Sequence, residues 1–180
     1  IPSASNFDKI MTAKTMKPSA QADDYIAELV ADTLCQSPNY FTEQGRPINS
    51  YAIQNGVDTE PEARRWYAME CPLIVREVGF LMTDDGRFGC SPDGLIVNEN
   101  DEPQYGLELK CPLPKTHVKY LMSGEMPAEY LAQVHGSLIV SGLSHWDFVS
   151  YCVGFEPLTI RVVTNEFTDK LRAELDKFYE

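Results

Sequence analysis

The spacing of apolar residues changes character near residue 72. Before it, Ile26, Leu29, Val30 and Leu34 recur at intervals of three and four, which predicts an amphipathic helix over 20–35 ended by Ser37-Pro38. A short helix is expected over 3–12, with a serine cap ahead of Phe7, Ile10 and Met11, and another over 49–70, interrupted or kinked near Gly56 and Pro61. After it, Val, Ile, Leu and Phe crowd into 73–83 as one or two strands, and Asp84-Asp85-Gly86 is a hairpin turn signal. Further strands are expected over 87–90, 94–97 and 105–111, with a polar turn over 98–103 and with Pro112 and Pro114 as stops. A helix over 128–141, strands over 146–155 and 158–164, and a helix over 167–178 complete the pattern. This alternation predicts an α/β domain with a central mixed β-sheet flanked by helices.

The 180 residues are enough for one domain with a substantial core, expected to span 1–180. No apolar run approaches the roughly 18 residues of a membrane span. The first residues lack the basic and apolar regions of a secretory signal, so a cytoplasmic location is expected. The five cysteines are widely spaced with no C-x-x-C pair, which argues for buried thiols and against a zinc ribbon or an iron–sulfur cluster. The net charge of −12 argues against a protein that coats nucleic acid, though not against an enzyme that draws DNA into a restricted cleft.

Candidate chemistry concentrates in "CSPDGLIVNENDEPQYGLELKCP", residues 90–112. Side chains two apart share one face of a strand, so Glu108 and Lys110 are expected to project together while Leu107, Leu109 and Cys111 enter the core. A hairpin between this strand and the preceding one brings Asp93 close to Glu108. Two carboxylates converging with a lysine suit a hard divalent cation such as Mg²⁺, and the Leu109 carbonyl between them is a further candidate ligand. Such a cation binds a phosphodiester oxygen and acidifies water, with Lys110 orienting the water and neutralising developing charge. Taken alone, Glu-Leu-Lys is an exposed ion pair contributing about 0–1 kcal/mol. The Ser-Pro-Asp-Gly turn and the step from Asp93 to Glu108 are what raise it above that.

"SPDGL" followed by "GLELKCP" resembles the active-site signature of the PD-(D/E)xK nuclease superfamily, with its restriction-endonuclease-like core. More narrowly it is similar to the phage lambda exonuclease family, also called YqaJ-type viral recombinases or alkaline exonucleases. "NGVDTEPEAR" (55–64), "EYLAQVHGSLIV" (129–140) and "IPSASNFDKIM" (1–11) resemble further segments of that family in the same order. The resemblance implies Asp93, Glu108, the Leu109 carbonyl and Glu60 as metal ligands, Lys110 as the catalytic lysine, and Gln133 beside the nucleophilic water or the scissile phosphate. Ser91 and Ser5 would help hold a terminal 5′-phosphate. Without the resemblance, Glu60 is a solvated carboxylate beside Pro61, Gln133 a half-buried amide, and the serines cap or turn residues.

The resemblance also implies an activity: Mg²⁺-dependent 5′-to-3′ degradation of one strand of linear duplex DNA, with Mn²⁺ as the alternative metal. A 3′ overhang would be left for a single-strand annealing protein in phage-type recombination, inside a bacterial host. The family forms toroidal trimers around DNA, and Arg64, Arg65, Lys115 and Lys119 are expected to make a basic lining within an acidic homotrimer. The position of the family's upstream arginine that clamps a 5′-phosphate falls before Ile1, and Ser3 stands for its threonine. His135 replaces a second glutamine, and His135 and His117 are expected to be structural or DNA-contacting. Tyr40, Phe41 and Tyr51 are candidate strand-separating wedges. A restriction-like endonuclease and an inactive DNA-binding module are the competing readings; the presence of Asp93, Glu108 and Lys110 together argues against the second.

Overall fold

Among the described residues, five strands assemble into one mixed sheet and four more form two two-stranded sheets. The computed structural model describes residues 1–35 and 51–180. In chain order these are a 3₁₀ helix (Ala4–Lys9), β1 (Met11–Thr12), β2 (Lys17–Pro18), α1 (Ala22–Cys35), α2 (Tyr51–Glu70), β3 (Ile74–Arg76), β4 (Leu81–Met82), β5 (Gly89–Cys90), β6 (Gly94–Val97), β7 (Pro103–Lys110), α3 (Pro114–Ser123), α4 (Ala128–Ser141), β8 (His145–Ser150), β9 (Leu158–Val163) and α5 (Glu166–Tyr179). The main sheet has the order β3-β6-β7-β8-β9, and β7–β8 is its parallel pair. A parallel pair needs a long crossover, here α3 and α4.

Both faces of the sheet are covered, which is why β6 reads as the unbroken apolar run Gly-Leu-Ile-Val. Leu95, Val97, Trp146 and Phe148 pack with Phe7, Val134, Leu138, Leu171 and Leu175 of the 3₁₀ helix, α4 and α5. Ile96, Leu107, Leu109 and Val149 face the other way, onto Ala63 and Tyr67 of α2. Each fully buried large side chain contributes roughly 1.5–3 kcal/mol.

Several sequence expectations need correction. The first helix is a 3₁₀ turn followed by a strand at Met11, and Ser3 at its N-cap makes no side-chain cap bond. Its hydroxyl instead meets that of Ser5 at 3.0 Å. Helix α2 runs uninterrupted through Gly56 and Pro61. Pro112 and Pro114 do not simply end a strand: Pro114 opens α3, an unforeseen helix, because proline at the first helical turn forgoes no hydrogen bond. The apolar stripe of α1 stays largely exposed, with Ile26, Val30 and Leu34 at 41%, 49% and 76%. Tyr25, with Leu29 partly buried against the same cluster, anchors this helix in the core. Ser37-Pro38, Tyr40 and Phe41 lie outside the described residues. Tyr51 is exposed on the first turn of α2. The hairpin at Asp84-Asp85-Gly86 forms as expected, with Gly86 at φ +70° between β4 and β5.

His117 and His135 are both fully buried. His117 bonds the Ser150 hydroxyl at 2.7 Å and the Glu156 carbonyl at 3.0 Å, tying α3 to the end of β8. Cys90, Cys111 and Cys152 are buried free thiols, and Cys71 is partly buried. Among the described residues no helix is long and apolar enough to cross a membrane.

Candidate active site

The end of the β6–β7 hairpin builds the site. Gly94 pairs with Leu107, and one step further the Asp93 N–H donates to the Leu107 carbonyl at 3.1 Å. There the backbone ladder stops and a side chain continues it: Asp93 Oδ2 accepts the Leu109 N–H at 2.6 Å. The N–H and C=O of a strand residue point to the same side. The Leu109 carbonyl is therefore directed to the edge where Asp93 lies, while the Lys110 carbonyl turns to β8 and accepts from Tyr151 N–H at 2.9 Å.

Glu108 and Lys110 do share one face of β7, but that face is not solvated. It lies beneath α4, and Glu108 is only 1% exposed. Helix α4 meets the pair with residues three apart. Gln133 donates to Glu108 Oε1 at 2.5 Å, and the Lys110 ammonium sits 5.1 Å from the centre of the Tyr130 ring. Lys110 itself donates to Glu108 Oε1. Both donors thus use one carboxylate oxygen.

The other oxygen, Glu108 Oε2, is buried with no hydrogen-bond partner. Buried polar atoms are almost always paired, and an unpaired carboxylate oxygen is costly. Burial pushes the Glu108 carboxyl up to about 7, with Lys110 opposing and Asp93 and Glu60 adding to the rise. Burial also raises Asp93, against the Leu109 N–H and Lys110. The Lys110 ammonium is pulled down by burial, but Glu108 and Asp93 reverse this and leave it raised. An oxygen donor set of two such carboxylates and a carbonyl fits a hard cation that keeps several waters.

Glu60 is near enough that its charge raises both Asp93 and Glu108, and its carboxylate is engaged by Arg64. Its Oε1 accepts from Arg64 Nη2 at 2.6 Å. Among the described residues no three His, Cys, Asp or Glu side chains converge to hold a metal. Arg64 bonds acidic partners and the Asp93 carbonyl rather than lying open, whereas Arg65, Lys115 and Lys119 are exposed. Ser91 and Ser5 are also exposed, on segments joined where Gly89 N–H donates to the Pro2 carbonyl at 3.0 Å.

Two features escaped the sequence reading. Tyr130 was legible only as a position three before Gln133 on one helical face. A second polar cluster lies on the α2 side of the sheet: buried Asp147 accepts from Tyr67 Oη at 2.6 Å and from Arg161 Nε at 2.9 Å. Nothing local to Asp147 signals it, since its partners are 80 and 14 positions away.

Fold and chemistry together define a nuclease of the PD-(D/E)xK class. Within that class the chain belongs to the YqaJ-like viral recombinase domain family, whose model matches residues 1–144. An alkaline exonuclease from Laribacter hongkongensis, LHK-Exo, is similar in structure, with TM-score 0.78, 28% identity, and coverage of 98% of this chain and 84% of its own. A structure of LHK-Exo in complex with dAMP matches at the same TM-score and identity, covering 98% and 85% of the two chains. A phage related exonuclease from Haemophilus somnus 129PT shares the fold, with TM-score 0.67 and 13% identity over 99% of this chain and 92% of its own. No curated protein matches the sequence.

Proposed function

We propose that the protein is a divalent-cation-dependent exonuclease of linear double-stranded DNA, degrading one strand from its 5′ end and leaving a 3′ overhang. The single observation that carries the chemistry is the unpartnered, buried Oε2 of Glu108 beside Asp93 and Lys110. Membership of a viral recombinase family and the likeness to exonucleases support the substrate and the exonucleolytic mode. The dAMP complex of LHK-Exo is in keeping with a site that accepts a nucleotide.

Asp93, Glu108 and the Leu109 carbonyl would hold Mg²⁺, or Mn²⁺ in its place. The cation, when bound, polarises the phosphodiester and acidifies the attacking water. Lys110 would donate to the phosphate oxygen on which charge develops, and the Tyr130 ring behind it restricts where the ammonium can go. Gln133, on the same helix as Tyr130 and bonded to Glu108, would orient the water. Burial under α4 excludes bulk solvent from Glu108 and so strengthens each of these interactions. Ser5 and Ser91 would receive a terminal 5′-phosphate, and exposed Arg65, Lys115 and Lys119 would meet the backbone. The overhang would pass to a single-strand annealing protein during phage-type recombination in the bacterial cytoplasm, and a homotrimer would enclose the duplex.

The test is digestion with Mg²⁺ of linear duplexes bearing 5′-phosphate or 5′-hydroxyl ends, with a covalently closed circle and the Lys110→Ala variant alongside. Loss of one strand from linear DNA alone, abolished by Lys110→Ala, is the expected result. Cutting of the circle would make the protein an endonuclease, and absence of any metal-dependent cleavage would leave a DNA-binding module.

A further inference from the structure

We infer that Arg64 is a positioning residue for the cation site rather than a contact for DNA. This rests on the reading of Asp93 and Glu108 as cation ligands. Arg64 projects from α2, and its side chain is 18% exposed. Three of its nitrogens serve three separate pieces of chain. Nη2 donates to Glu60 Oε1 at 2.6 Å, Nη1 lies 3.2 Å from Glu77 Oε2 beyond β3, and Nε donates to the Asp93 carbonyl at 2.9 Å.

The last of these contacts matters most. The Asp93 carbonyl belongs to the residue whose carboxylate reaches Leu109 N–H from the other end of the same backbone unit. Anchoring that carbonyl fixes the turn before β6 and thereby the direction from which the carboxylate approaches the site. The same guanidinium pairs with Glu60, whose charge acts on both Asp93 and Glu108. Arg64 thus sets both the position of one ligand and the availability of another acid. A guanidinium committed to two carboxylates and a carbonyl has little left for a phosphate, and its rigid fork is what spans the three acceptors. A lysine, with a single nitrogen, cannot span them.

Partners behind metal ligands typically govern affinity by 10–100-fold. Mn²⁺ binding alone, by calorimetry on wild type, Arg64→Ala, Arg64→Lys and Asp93→Asn, tests the inference. Binding of a blunt duplex in saturating Ca²⁺ across a salt series runs in parallel. Expected is Mn²⁺ affinity about tenfold or more weaker in both Arg64 variants, with duplex affinity and its salt slope unchanged. Unchanged Mn²⁺ affinity, with a salt slope lower by about one in Arg64→Ala and restored in Arg64→Lys, would make Arg64 a phosphate contact and overturn the inference. If wild type binds no Mn²⁺, or Asp93→Asn binds it equally well, the cation site itself fails and the inference with it. Should Arg64→Ala not fold, Arg64→Lys and Glu77→Gln, which removes one arm on the exposed side, carry the same comparison. Glu77→Gln is then expected to weaken Mn²⁺ binding by less than Arg64→Lys, and no change in either variant would overturn the inference.

Discussion

Asp93 closes the β6–β7 ladder with its side chain, accepting the Leu109 N–H at 2.6 Å where β6 offers no further backbone partner. That bond places an aspartate carboxylate at the lip of the strand that carries Glu108 and Lys110. It also leaves the neighbouring Leu109 carbonyl on the same edge.

Lys110→Ala is expected to lower kcat by about 10²–10⁴-fold, the range for a positioned proton donor or charge stabiliser, with duplex affinity in Ca²⁺ little changed. Single-turnover cleavage and a binding isotherm separate the two. A variant that loses duplex affinity in proportion to rate would assign Lys110 to binding instead.

Glu108→Gln should stabilise the metal-free fold while removing activity. In the unfolded chain this carboxyl loses its proton near 4.5, whereas burial holds it until about 7 in the fold. Between those values the native state binds the extra proton, so stability on this group's account falls as pH rises from about 4.5 to about 7. The penalty is on the order of 3 kcal/mol at pH 8. Urea denaturation in EDTA at pH 5 and pH 8 should show the gap between Glu108→Gln and wild type widening at the higher pH; equal gaps would contradict the buried-charge account.

His135 acts in the opposite sense. Burial lowers its pKa to about 4, and its Nδ1 lies 2.8 Å from Thr168 Oγ1, which also accepts the Asn165 N–H that closes the α5 capping box. Unfolded histidine takes up its proton near 6.5, so stability from this group is present above 6.5 and is lost as pH falls toward 4. Replacement by glutamine should flatten the acid limb of a stability–pH curve measured by thermal melting. An unchanged acid limb would assign the loss elsewhere.

Gly136→Ala tests how α4 receives the N-terminal segment. A methyl there would stand 2.4 Å from the Phe7 ring and 3.2 Å from the Ala4 Cβ, and Phe7 is fully buried. The helical preference of alanine over glycine returns about 1 kcal/mol, against about 1–3 kcal/mol for overpacking. With the methyl 2.4 Å from a fully buried ring the overpacking cost lies at the upper end, so a net loss of about 2 kcal/mol is expected in urea denaturation. Because the 3₁₀ helix that would retreat carries Ser5, the rate ratio between 5′-phosphate and 5′-hydroxyl ends should fall as well. Wild-type stability in this variant would show that the segment yields at no cost.

The strand and helix series was legible because burial on both sheet faces writes itself into composition: β6 and α4 fall where their apolar runs put them. Asp93, Glu108 and Lys110 were legible too, since a hairpin turn and a two-residue period are local rules that need no knowledge of the rest of the chain. Local rules failed where a neighbour decided the outcome. Pro114 reads as a stop until a helix is seen to start on it, and the stripe of α1 reads as core although little packs on it.

What the chain's own order determined, then, is which residues are candidates for the chemistry and in what spacing. Tertiary structure alone decided their environment. Glu108 is buried because α4 arrives over it from 25 positions away, and Arg64 is taken up by Asp93 across 29 positions. Charge, burial and pairing depend on contacts between distant segments, which periodicity does not encode. The same letters, Glu-Leu-Lys and Ala-Arg-Arg, would otherwise describe solvated surface.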